Sequence, residues 1–145
     1  MRTDKMAQDF LRRAKARLTD AGAALKRGDY PDAVRYSQEC VELSIKACLR
    51  IIGVDYPKVH DVGDVLEHYK DSFPEWLRNE IPQIRRISRN LYQKRGPSVY
   101  GIEREGKTAS ELFTKKDAQE ALQNAEKVYS TGQRFFDESY KKQEQ

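Results

Sequence analysis

Five cations crowd the stretch from Arg85 to Arg95: Arg85, Arg86, Arg89, Lys94 and Arg95, with no acid among them. The stretch carries +5 while the whole chain carries +4, so the basic excess is local and the remainder is slightly acidic. A local excess marks an anion site, because guanidinium forks match phosphate oxygens two at a time. Asn90, Tyr92 and Tyr100 stand among or just after these cations. They supply an amide and two phenol rings for hydrogen bonds to, or stacking on, bases. Arg86 and Arg89 are three apart and Arg85 and Arg89 four apart, so on a helix they share a face. The expectation is that all five cations converge on one concave surface able to receive a polyanion. The plainer alternative is a solvated face, with cations placed near a helix C-terminus where the macrodipole favours them.

Acid–base chemistry has few carriers. The chain holds two histidines, His60 and His68, and the imidazole is the side chain that exchanges a proton near neutrality. His60 is the one candidate general base, and a capping or hydrogen-bonding role competes with it. His60, Asp61 and Asp64 lack a third spaced histidine, so no metal site is expected. No glycine-rich phosphate loop is present, no serine or cysteine has a nameable catalytic partner, and no cofactor is expected. Cys40 and Cys48, eight apart on one helix, are separated by about 12 Å along the axis. A disulfide needs Cα atoms within about 7 Å. Buried free thiols in a reducing compartment are the expectation.

These residues need elements to hold them. The central one runs from Ala33 to Ile52, with a row of small residues (Ala33, Ser37, Cys40, Ser44, Ala47, then Ile51) beside a row of larger ones (Val34, Val41, Ile45, Cys48, Ile52). Both rows keep helical steps, and together they make a face wide enough to pack on two sides. Gly28 ends the preceding helix, which starts after Thr3 and shows Met6, Phe10, Ala14, Leu18, Ala21 and Leu25. Asp29 or Tyr30 can cap the central helix and Pro31 suits its first turn. So short a connection predicts an antiparallel hairpin. The Gly28–Ala33 pattern also fits a tetratricopeptide-like turn, but Val62, Gly63, Asp64 and Glu67, near the repeat distance, do not match it.

After a loop at residues 54–60, Asp61 can cap a short helix carrying Val62, Val65, Leu66 and Tyr69, broken at Ser72-Phe73-Pro74. The next helix starts near Glu75 and shows Leu77, Ile81, Ile84 and Leu91, with Pro82 expected to kink or restart it. Gly96 to Phe113 reads as a loop of 18 residues, mobile or functional. Thr114 with Asp117 is a capping-box signal for a last helix that frays at about 141–145. The chain therefore reads as all-α: one domain over residues 1–145, an antiparallel bundle of five helices, or six if Pro82 splits one. At 145 residues it can bury a real core. Charged residues are 34% of the chain and mean hydropathy is -0.88, so that core must come from narrow stripes. No apolar run approaches the roughly 18 residues that suggest a bilayer span, and the N-terminus opens no signal peptide. A cytoplasmic location without membrane contact is expected.

Two groups of residues together resemble the HEPN domain family. The first is Asp29-Tyr30 with Ala33, the run Ser37-Gln38-Glu39-Cys40-Val41-Glu42-Leu43, Lys46-Ala47 with Leu49, then Gly53, and His60-Asp61 with Leu66. The second is Arg89, Tyr92, Pro97 and Tyr100, then Phe113-Thr114, Asp117-Ala118 and Glu120-Ala121. The resemblance covers roughly residues 5–137. It implies an up-and-down four-helix core, association as a homodimer and a nucleotide or RNA ligand. It also implies a nucleotidyltransferase partner within a toxin–antitoxin or defence system. Many members cut RNA with an arginine and, four to six intervening residues further on, a histidine. Here Lys94, Arg95 and Gly96 stand at those distances from Arg89, and Asn90, Leu91, Tyr92 and Gln93 from Arg85 and Arg86. The motif is absent. The expectation is thus a binding module, with two alternatives: a metal-independent endoribonuclease whose displaced base is His60, and a purely structural oligomerisation partner.

Overall fold

The structure is a computed structural model and describes residues 3–56 and 61–141. The loop residues 57–60, the expected frayed tail beyond 141 and His60 lie outside the described residues. Six α-helices are present among those described: α1 (Thr3–Arg27), α2 (Tyr30–Ile51), α3 (Val62–His68), α4 (Glu75–Tyr100), α5 (Ala109–Leu112) and α6 (Lys115–Lys141). One isolated antiparallel bridge, Ile102 to Lys107, is the whole β content of the described residues.

Helix α1 ends in a Schellman turn. Gly28 takes φ 85°, Asp29 N–H donates to Ala24 C=O at 2.9 Å and Gly28 N–H to Leu25 C=O at 3.2 Å. Gly53 closes α2 in the same way, with Val54 N–H on Leu49 C=O at 2.9 Å and Gly53 N–H on Arg50 C=O at 3.0 Å. Asp29 is the N-cap of α2 through its backbone carbonyl, which accepts from Ala33 N–H at 3.0 Å. Its carboxylate instead accepts from Arg27 Nε.

Both apolar rows of α2 are buried along most of their length, because α2 packs against α1, α4 and α6. Small residues set the seams with α1 and α6. Ala24, Ala33 and Ala118 form one buried cluster, and Ala7, Leu11 and Ala47 another. Larger residues meet α3 and α4: Val41, Ile45 and Leu49 share a cluster with Val62, Leu66, Leu77, Ile81, Ile84 and Leu91. The pairings of Ala7 with Ala47 and Ala24 with Ala33 make α1 and α2 antiparallel. Bonds from Arg95 to Gln38 and from Trp76 to Glu138 make α4 antiparallel to α2 and to α6. The result is an up-and-down four-helix core with α2 touching all three companions.

The expectations for α4 need correction. Pro82 does not split it, and the sixth helix is α5 instead. The missing N–H costs a bond, but Leu77 and Ile81 on one side of Pro82 and Ile84 and Ile87 on the other are buried and fix both halves in one helix. Nor does the chain become a loop at Gly96. α4 continues through Pro97 to Tyr100, with Ser98 buried and its hydroxyl donating to Arg95 C=O at 2.7 Å. The segment beyond Tyr100 is ordered as well: a 3-10 turn at Glu103–Glu105, the 102–107 bridge and α5. The capping box before α6 forms in both directions, Asp117 N–H to Thr114 Oγ1 at 3.2 Å and Thr114 N–H to the Asp117 carboxylate at 2.8 Å.

Candidate nucleic-acid interface

A groove of about 370 Å³ lies along α4, lined by Pro82, Arg85, Arg86, Arg89, Asn90 and Gln93. These positions recur every three or four residues, so among the described residues one face of one helix supplies the lining. Arg86, Arg89, Asn90 and Gln93 are exposed and Arg85 is half-buried. Helix α3 supplies the counter-charge. The Arg85 Nη2 donates to Asp64 Oδ1 at 3.0 Å, and the Arg89 Nη2 reaches the same oxygen at 3.4 Å. Glu67 approaches Arg85 at 4.0 Å and also pairs with Lys70 at 3.4 Å. Among the described residues Arg86 has no ion-pair partner.

What holds α3 in that position is Asp61. Its Oδ1 accepts the Gly63 N–H at 3.0 Å, capping the helix, and the Ser88 hydroxyl of α4 at 2.5 Å. One carboxylate oxygen thus starts α3 and pins it to the arginine-bearing helix. Asp64, one turn on, turns its carboxylate outward to the arginines, not back to the helix terminus.

The five cations do not converge. Arg95 lies about 180° around the helix from Arg86, nine residues at 100° each. It donates to Gln38 Oε1 at 2.9 Å and pairs with Glu39 at 3.0 Å, where Arg17 holds the other carboxylate oxygen at 3.2 Å. Lys94 is half-buried and outside the groove lining. Tyr92 is 46% exposed and edges a separate, narrow cleft with Gln38, Glu42, Asp61 and Ser88. Tyr100 is 70% exposed at the C-terminal end of α4. His68 is exposed and stacks edge-on against Tyr69 at 4.8 Å. Gln93 is absent from the residues expected from sequence, yet its spacing could have found it: it is four residues beyond Arg89 and seven beyond Arg86. Asp64 and Glu67 had no such signal, since only packing of α3 on α4 brings them near.

Among the described residues no three His, Cys, Asp or Glu side chains gather as a metal site, and no helix is long and apolar enough to cross a membrane. Cys40 and Cys48 are free and buried. Burial pushes both thiols up from an ordinary value of 9.0 to about 12, with a hydrogen bond to Ser44 offsetting part of the rise at Cys40.

The family model for the HEPN domain matches residues 7–135. This chain belongs to the HEPN family. A relative from Methanocaldococcus jannaschii, named "Putative toxin MJ1304", is 35% identical over an alignment 142 residues long that covers 94% of this chain and 91% of that protein. The crystal structure of TT1696 from Thermus thermophilus is similar in fold, with a TM-score of 0.68 at 24% identity. The match spans 88% of this HEPN chain and 96% of that one. The four-helix core expected from sequence is therefore the HEPN core, and the α4 groove lies within the matched residues.

Proposed function

We propose that this HEPN domain binds the phosphates of RNA or of a nucleotide along the exposed face of α4, as a homodimer and without catalysing a reaction. The toxin named among its relatives supports a toxin–antitoxin setting, in which a nucleotidyltransferase is the partner the family resemblance implies. The observation that carries the proposal is the groove itself. Three guanidiniums (Arg85, Arg86 and Arg89) and two amides (Asn90 and Gln93) line one accessible surface. Guanidiniums hold phosphate oxygens in forked pairs, and the amides can bond base edges or ribose. Arg95 and Lys94 lie outside this surface, so the proposal rests on the three arginines.

The test is the double variant Arg86→Ala/Arg89→Ala, titrated with short labelled RNA by filter binding at about 0.1 M salt, where phosphate contacts still dominate affinity. Affinity falls about tenfold or more, and the salt slope drops by roughly one for each phosphate no longer held. Both side chains are exposed, so the thermal midpoint moves little. Unchanged affinity would remove the proposal. Molar mass in solution, alone and with RNA, tests the homodimer: a particle holding a single 16.9 kDa chain, with or without the added mass of bound RNA, excludes it.

A further inference from the structure

One oxygen beside the groove is shared by two guanidiniums that line it. Asp64 Oδ1 sits 3.0 Å from Arg85 Nη2 and 3.4 Å from Arg89 Nη2. Arg85 belongs to the helical turn before Arg89, so their side chains converge from successive turns onto that atom. Two cationic N–H donors on a single anionic oxygen is also how a pair of arginines holds a phosphate oxygen. We infer that Asp64 acts as a built-in anion: its carboxylate occupies the place of a ligand phosphate oxygen and sets how tightly the groove takes RNA. The inference rests on the proposed phosphate-binding role of the groove and deepens it.

Three features make Asp64 displaceable. Its side chain is 57% exposed and that of Arg89 is 59% exposed, so both partners are open to water and the pair is weak. The backbone around Asp64 does not depend on its carboxylate, because α3 is capped by Asp61. Finally, the groove keeps cationic charge in hand. Arg85 and Arg89 share Asp64, Arg85 alone also approaches Glu67, which pairs with Lys70 as well, and Arg86 is left without an acid among the described residues. An arriving phosphodiester meets Arg86 first and then competes with Asp64 for Arg85 and Arg89. A ligand with one phosphate gains little from that competition. A strand with several phosphates displaces the carboxylate, so Asp64 discriminates against weakly charged ligands.

The variant Asp64→Asn tests this, with Glu67→Gln as a second removal of an acid facing Arg85. Glu103→Gln is the control for net charge, since Glu103 is an exposed acid on the 103–105 turn and not part of the groove. All are titrated with short labelled single-stranded RNA, and separately with ATP, between about 0.05 and 0.2 M salt. Asp64→Asn is expected to tighten RNA binding about threefold to tenfold, the range that one or two exposed ion pairs convert to. Its salt slope steepens by about one, because the site carries one more net positive charge. Glu67→Gln shifts affinity the same way by less, and Glu103→Gln leaves it unchanged. ATP affinity should rise by at least the same factor, and a rise for RNA alone overturns the discrimination against ligands with few phosphates. The inference is overturned if Asp64→Asn binds RNA as wild type does or more weakly, or if Glu103→Gln tightens it equally. If Arg86→Ala/Arg89→Ala leaves RNA affinity intact, the underlying phosphate-binding role fails instead, whatever the acid variants do.

Discussion

At the scale of single residues, charge and burial decide what each group can do. Cys40 and Cys48 are nucleophiles by type and inert by position, since apolar surroundings disfavour the thiolate and hold both groups up at about 12. A folded-state value above the unfolded 9.0 means that the thiols contribute stability below about pH 9. That contribution is lost as pH rises through 9 toward 12, because the unfolded chain gives up those protons first. We therefore expect a disulfide reagent to modify neither thiol in native protein at pH 8, and both on addition of denaturant. Fast labelling of native protein would contradict the burial. Free thiols were legible in sequence from helical spacing alone. The arginine face was legible in part: Arg85, Arg86 and Arg89 share the groove, whereas Arg95 does not, because the nine helical residues from Arg86 turn it to the opposite side, against Gln38. The partners of these cations were not legible. Asp64 is 21 residues from Arg85 and Glu39 is 56 from Arg95, and no local pattern encodes such pairs.

At the scale of elements, ends were easier to read than interiors. Gly28, Gly53, Asp61 and the Thr114–Asp117 box mark helix boundaries through local chemistry that tertiary packing left intact. Pro82 and Pro97 pointed the other way, and there burial overrode a local preference. The true stop for α4 is Gly101, at φ 67° and ψ −155°, a region open essentially to glycine alone. A Cβ at Gly101 would stand 2.3 Å from Lys107 C=O, inside the turn bridged by Ile102 and Lys107. Neither the backbone angle nor the clash can be relieved by rotating a side chain. Gly101→Ala is accordingly expected to cost about 2–3 kcal/mol. In a chain of this size that lowers the thermal midpoint by about 5–10 °C. RNA affinity measured well below that midpoint should stay near wild type, as the groove ends at Gln93. A midpoint within a degree of wild type would mean that the turn is not the rigid stop described.

At the scale of the whole molecule, the bundle is organised by one helix. α2 touches α1, α4 and α6, and its small residues draw the outer helices close while its larger ones fill the space toward α3 and α4. That arrangement was visible in sequence as two adjacent apolar rows, because a helix packed on two sides must be apolar on two sides. Its consequence is cooperativity: loosening α2 removes support from every companion at once, so no helix can melt alone. Leu49, fully buried near the C-terminal end of α2, tests this. Leu49→Ala empties part of a packed core and is expected to cost about 2–5 kcal/mol. Two probes watch different parts of the fold. Far-UV circular dichroism sums all the helices. The single tryptophan, Trp76, reports the α4–α6 contact, where its Nε1 donates to Glu138 at 2.9 Å and Arg134 lies over the ring at 3.8 Å. Leu49 belongs to neither of those helices, so a local effect would shift the dichroism curve and leave the fluorescence curve behind. A single core shifts both denaturant midpoints by the same amount, with the two curves superimposed before and after the substitution. If Trp76 holds its wild-type midpoint while helicity is lost earlier, α4 and α6 form a unit that stands without α2, and the central role given to α2 is wrong.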